Sequence, residues 1–206
     1  MKIALLGDSH TTAYFPHLRK RLEEGGHQVV GQVSNVGWAV YSYNRKPEQI
    51  EQAIANDPDV VLISLGGNNS KLSEKYGKDV SEFLERVGYP KRKVIWVGPA
   101  IATRPDVDRR HRWTAEWMRN NLPKDIVFID VEKFTEQGHS GDGVHFTSKF
   151  YRDVWAEEVA KQTLSSIKLP IVLYKAKQNL PLILFILSLG GLGYAVWSRS
   201  RDGKAN

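Results

Sequence analysis

Residues 2–10 read Lys-Ile-Ala-Leu-Leu-Gly-Asp-Ser-His, and this stretch decides the fold. Lys2 to Leu6 is a short, mostly apolar run of the kind that forms a buried strand. It stops at Gly7-Asp8-Ser9-His10, and a helix-like stretch begins at about Thr12. A strand that runs into a tight turn and then a helix is the opening of an α/β domain. Ligands of such sheets sit at the carboxyl ends of the strands, beside helix N-termini. Ser9 therefore falls where a reactive hydroxyl would be presented. Serine is also a common helix cap, and the stretch alone does not choose between the two roles.

Outward from this opening, strand-like and helix-like pieces alternate. Helix patterns are expected to Glu24, over Pro47–Asn56, Ser73–Val87, Asp106–Leu122 and Ser148–Ile167. Strand patterns are expected over Gln28–Ser34, Val60–Leu65, Val94–Val97 and Ile126–Ile129. The loops between them carry Asn35-Val36-Gly37, Gly66-Gly67-Asn68-Asn69, Gly98-Pro99 and a long segment from Glu132 to Val144. Five short apolar strands separated by helices imply a parallel sheet covered on both faces.

The charge is unevenly spread. Of the formal +6, residues from Lys168 onward hold six Lys or Arg against Asp202, a local +5, which leaves +1 for residues 1–167. A nearly neutral globular part argues against a nucleic-acid partner. The excess base flanks Gln178–Ser198, 21 residues without a charge. About 20 such residues cross a bilayer core. Tyr194 and Trp197, followed by Arg199 and Arg201, suit an interface at one end. The expected division is a domain over 1–167, a basic linker over 168–177, a membrane span over 178–198 and a basic tail over 199–206. Gly191 and Ala195 offer a weak small-residue pairing motif, hence weak homo-oligomerisation through the tail. No secretory signal peptide precedes the first strand, so the domain is expected on the cytoplasmic side of the bilayer.

The chain has no cysteine, which removes disulfides and thiolate metal sites. His10, His17, His27, His111 and His139 lack metal-ligand spacing and read as surface or local groups, and no Gly-Lys-Ser/Thr follows Gly66-Gly67 to make a phosphate loop. No cofactor or metal is expected. Asp142-Gly143-Val144-His145 lies just before the last helix. A nucleophilic Ser9 needs a base within reach and a carboxylate to orient it, and an Asp three residues before a His supplies both. Asn68 is a neutral donor suited to a developing oxyanion, and the N–H of Gly37 can approach a substrate without a side chain in the way. Arg104, Arg109, Arg110 and Arg112, with Trp113 and Trp117, form a basic and aromatic patch. A solvated helix face with two core Trp explains it, as does a rim for an anionic glycan or lipid headgroup.

The four blocks together resemble the SGNH (GDSL-type) hydrolases. Gly7-Asp8-Ser9-His10 is similar to that family's first block, Gly37 to its second, Gly66-Gly67-Asn68-Asn69 to its third and Asp142-Gly143-Val144-His145 to its last. The resemblance covers about residues 1–167. It implies a three-layer, flavodoxin-like α/β domain with a five-stranded parallel sheet. It further implies an esterase in which Ser9 attacks, His145 takes the proton and Asp142 orients His145. The N–H groups of Ser9 and Gly37 and the Asn68 side chain would hold the oxyanion. His10 stands where Leu is commoner, and Asn69 where Asp is usual. The α/β-hydrolase elbow does not fit, because Thr11 occupies its second glycine position.

The expected protein is thus a membrane-anchored serine esterase acting on O-acetyl or other short acyl groups of envelope glycans. A lysophospholipase or thioesterase is the alternative within the same chemistry. A non-catalytic envelope or virion-membrane module is the alternative of another class.

Overall fold

In the structure, a computed structural model that describes residues 1–69 and 75–168, the apolar opening becomes β1 (Lys2–Gly7). It pairs in parallel with β2 (Gln28–Ser34) on one side and β3 (Val60–Ser64) on the other. β4 (Lys93–Val97) and β5 (Val127–Ile129) extend the sheet, all parallel, in the order β2-β1-β3-β4-β5. This is the flavodoxin-like order, and it reverses between β1 and β3. Chains leave those two strands toward opposite sides, so a crevice opens at their carboxyl ends. Gly7-Asp8-Ser9 and Gly66–Asn69 are the segments that line it.

Both faces of the sheet are covered, as the unbroken apolar runs require. Ala4, Leu6, Val61, Ile63, Val94 and Trp96 pack into one cluster with Tyr43, Ile50, Ala53, Val80 and Phe83. Those partners come from α2 (Val40–Arg45), α3 (Glu48–Ile54) and α4 (Lys75–Arg86). Ile3, Leu5, Leu62 and Ile95 alternate to the opposite face. α1 (Ser9–Glu24) lies against β1 and β2 there with Tyr14, Phe15, Leu18 and Leu22 fully buried. Trp96 buries its indole without loss, because Nε1–H donates to the Leu65 carbonyl at 2.9 Å.

Several boundaries differ from the sequence expectation. α1 starts at Ser9 rather than Thr12, because Asp8 is the cap and accepts from the His10 N–H at 3.1 Å. α2 lies outside the helices expected from sequence. It delivers Tyr43, whose hydroxyl donates to the Gly7 carbonyl at 2.6 Å and ties down the end of β1. α5 (Pro105–Asn121) follows β4. A 3-10 turn at Val131–Phe134 opens the long loop after β5. The last helix is expected as one piece, but α6 (Ser148–Phe150) passes through a π-helical turn (Tyr151–Trp155) before α7 (Ala156–Lys168). That wide turn carries Tyr151 and Trp155 inward.

The chain divides into the unit Met1–Ser166, which carries the sheet and the site, and the unit Ile167–Asn206. Residues 169–206 lie outside the described residues, and with them the expected span over 178–198 and its basic flanks. Among the described residues no helix is long and apolar enough to cross a membrane.

Candidate active site

Three strand ends and the final loop meet over β1. Ser9 begins α1, half-buried, and as a first helical residue its N–H has no intrahelical partner. Its Oγ lies 2.9 Å from Nε2 of His145. Nδ1 of His145 lies 2.6 Å from Oδ2 of Asp142. The carboxylate is held in turn: Oδ1 accepts from the N–H groups of Val144 and His145 and from the Ser140 hydroxyl, each at 2.9 Å. These bonds, with the imidazole first among them, keep the Asp142 carboxyl well below the usual carboxylate range. Gly143 makes the tight loop possible at φ +70 and accepts from the Thr103 N–H at 2.8 Å. Asp142 thus fixes the tautomer of His145, leaving Nε2 free to accept from Ser9.

Ser9, His145 and Asn68 line one cavity of about 190 Å³, together with Asp8, His10, Gly67, Val107, Arg110, His111 and Val144. Asn68 Nδ2 donates to Oδ2 of Asp8 at 3.3 Å and to the Trp38 carbonyl at 3.2 Å. Its neighbour Asn69 is buried and closes the turn by donating to the Gly66 carbonyl at 3.0 Å. That is how the loop is held with Asn, rather than Asp, at position 69. Gly37 is not brought to the cavity lining. It stands exposed at φ +75, a backbone conformation that suits glycine.

Two histidines read as surface or local groups are in fact buried. His10 packs against Trp155, with ring centroids 5.2 Å apart, and against the ring of His145 at 5.0 Å. The Phe146 N–H donates to the Tyr151 hydroxyl at 3.3 Å, which leaves that hydroxyl to donate to His10 Nδ1 at 2.7 Å. Burial, and then the charge of His145, push His10 down to about 3, so it stays neutral. His111 spans the gap between two loops, with Nδ1 at 2.6 Å from the Ala100 carbonyl and Nε2 at 3.1 Å from that of Gly67. Sequence holds no signal for either, since Tyr151 lies 141 residues from His10 and Gly67 lies 44 residues from His111 in the chain. The two tryptophans of α5 are partly buried beside the core, Trp113 tilted against Tyr76 and Trp117 edge-on to it.

Asp8 is the second carboxylate of the site and only 3% exposed. Burial raises it from the ordinary 3.8 to about 7, against the opposing bond from the His10 N–H. The folded state therefore holds this proton more tightly than the unfolded chain does. Stability from it is complete at low pH and is lost as pH rises through about 7. Asp8→Asn keeps a good cap and cannot titrate. Between pH 5 and 8, wild type is expected to lose roughly 2–3 kcal/mol relative to Asp8→Asn, or about 5–10 °C in Tm. Parallel Tm-against-pH curves for the two proteins would contradict this.

Residues 2–162 match the family described as "Protein of unknown function (DUF459)". No curated protein matches the chain in sequence. Among solved structures, a carbohydrate esterase family 3 protein from Talaromyces cellulolyticus is similar at TM-score 0.63 and 21% identity, over 82% of this chain and 98% of that one. A lipase/acylhydrolase from Enterococcus faecalis is similar at 0.60 and 20%, over 81% and 95%. An acetyl xylan esterase from Geobacillus stearothermophilus is similar at 0.59 and 17%, over 81% and 94%. The resemblance to the SGNH hydrolases drawn from four sequence blocks holds in the fold.

Proposed function

The chain belongs to the DUF459 family, and from its fold and site we propose that it is a serine esterase hydrolysing short acyl esters, chiefly O-acetyl groups on envelope glycans. The observation that carries this reading is the unbroken relay from Asp142 through His145 to Ser9. Ser9 Oγ attacks the acyl carbon while Nε2 of His145 takes its proton. The carbonyl oxygen gains charge that the Ser9 N–H, the N-terminal dipole of α1 and the Asn68 amide stabilise. Both resting contacts of that amide exceed 3.1 Å, so exchanging one for an oxyanion costs little. We keep the Gly37 N–H as a third donor to that same oxygen, which requires the loop after β2 to bring it into the cavity. When the tetrahedral intermediate collapses, the ester C–O bond breaks and the alcohol leaves with the proton from His145. Water, deprotonated by the same imidazole, then attacks the acyl-enzyme and releases the acid and free Ser9.

The size of the cavity supports a short acyl group. At about 190 Å³ it is smaller than the roughly 300–1,000 Å³ of pockets for drug-sized ligands. Two similar structures of this fold, a carbohydrate esterase and an acetyl xylan esterase, lend support to a glycan as the acyl carrier. We further propose that Gln178–Ser198 spans a bilayer and anchors the domain on its cytoplasmic side, on the strength of its length, lack of charge and basic flanks.

A panel of p-nitrophenyl esters from acetyl to palmitoyl, offered to the full chain in detergent, tests the substrate reading. Turnover is expected to peak at two to four carbons, about tenfold or more above the long chains, since a long acyl chain does not fit a cavity of about 190 Å³. A maximum at long chains would favour a lysophospholipase or thioesterase. Membranes carrying the full chain test the anchor: extraction by carbonate or salt alone would overturn it.

A further inference from the structure

One wall of the cavity is a face of α5. Val107, Arg110 and His111 are spaced i, i+3, i+4, so they share that face, and all three line the cavity with Ser9 and Asn68. The other arginines of this region are mostly engaged. Arg104 pairs with Asp106, Arg112 with Asp108, and Arg119 with Asp130 and Glu132. Arg110 has no ion pair among the described residues, and its Nε is shielded from solvent without a hydrogen-bond partner there. Arg110 lines the cavity without an ion pair, which leaves its guanidinium to receive an anionic acceptor that arrives with the ligand.

Among the described residues neither carboxylate near the cavity forms an ion pair with that cation. Asp142 lies behind His145 and spends both oxygens on the imidazole, Ser140 and two backbone N–H groups. Asp8 is buried beneath Asn68, and its carboxyl is pushed up to about 7. The two further histidines of the lining, His10 and His111, are held toward the neutral form by burial. Among the described residues that line the cavity, Arg110 is the only Arg or Lys, and it favours an anionic group on the substrate beside it.

We propose that Arg110 is a specificity-determining residue, binding a carboxylate or phosphate that the substrate carries close to its ester. This rests on the esterase reading of the same site. A planar fork of donors receives either anion bidentately, and because Arg110 and Ser9 line the same cavity the anion would sit near the acyl group. An acetylated acidic sugar would supply a carboxylate, and a lipid headgroup a phosphate.

The test uses the full chain and three acetyl esters of similar shape: 3-acetoxybenzamide, 3-acetoxybenzoate and 3-acetoxyphenyl phosphate. Wild type is expected to prefer an anionic ester over the neutral amide in kcat/KM. Arg110→Gln is expected to lower that preference about 10- to 100-fold, the range of a hydrogen bond to a charged group, chiefly through KM. Arg110→Lys is expected to recover part of it. The anion preferred by wild type identifies the source as carboxylate or phosphate. Equal kcat/KM for neutral and anionic esters in wild type, or an unchanged ratio in Arg110→Gln, overturns the proposal. If no ester is turned over, the esterase reading fails by itself. Calorimetric binding of 3-acetamidobenzoate against 3-acetamidobenzamide then still decides the anion site: an Arg110-dependent preference supports it, and its absence overturns it.

Discussion

Ser9→Ala is expected to abolish ester turnover, lowering kcat by about 10⁴–10⁶, while leaving the fold and its melting temperature nearly unchanged. The rate falls because water must then attack the ester without a covalent intermediate, though the oxyanion donors remain. The fold survives for a reason visible at the start of α1. Capping belongs to Asp8, and among the described residues the side-chain hydrogen bond of Ser9 goes to His145. Were Ser9 the cap, its loss would cost about 1 kcal/mol. A fluorophosphonate probe is expected to label wild type at Ser9 and to leave Ser9→Ala unlabelled. Labelling that persists in the variant, or turnover within tenfold of wild type, would remove Ser9 from the mechanism.

The parts of this site that were readable in sequence share one property: each depends on its near neighbours in the chain. Val60–Ser64 is buried on both faces and so reads as an unbroken apolar run, whatever lies beside it. Asp142 and His145 meet because Gly143 bends the loop between them. Asn68 follows a strand end, and strand ends are marked by glycine. What escaped the sequence depends on contacts between distant segments. α2 is six residues long and too short for a helical period to declare itself, yet Tyr43 from it fixes Gly7. His111 looks like one more polar residue on an arginine-rich helix until α5 is set against the loops after β3 and β4. The π-helical turn over Tyr151–Trp155 leaves the spacing of apolar residues close to that of an ordinary helix. Only the packing of His10 against Trp155 and Tyr151 gives that turn its purpose.

Asp142→Asn is expected to keep the fold and lose about 10⁴ in kcat, because the change inverts a tautomer rather than removing a group. In wild type, Oδ1 accepts from the N–H groups of Val144 and His145 and from Ser140, and Oδ2 faces Nδ1 of His145. The asparagine carbonyl must stay with the three donors, since turning the amide would set its NH₂ against all of them. Its NH₂ therefore points at Nδ1, which becomes an acceptor. The ring proton moves to Nε2, which then faces Ser9 with a hydrogen in place of a lone pair. The relay is present in outline and unable to take the proton. The loop keeps its bonds to the amide oxygen, so Tm is expected to move by no more than the few degrees that one altered side-chain pair carries. The pH profile separates this account from simple loss of charge. Asp142 is held far below the usual carboxylate range, so it stays ionised wherever the enzyme works. Asp142 therefore adds no acidic limb of its own to kcat/KM in wild type. Asp142→Asn is expected to recover rate at high pH, where hydroxide can deprotonate Ser9 without help from Nε2. Full activity in Asp142→Asn at neutral pH, or a loss of rate that disappears on raising salt, would mean that the carboxylate acts only through its charge or not at all.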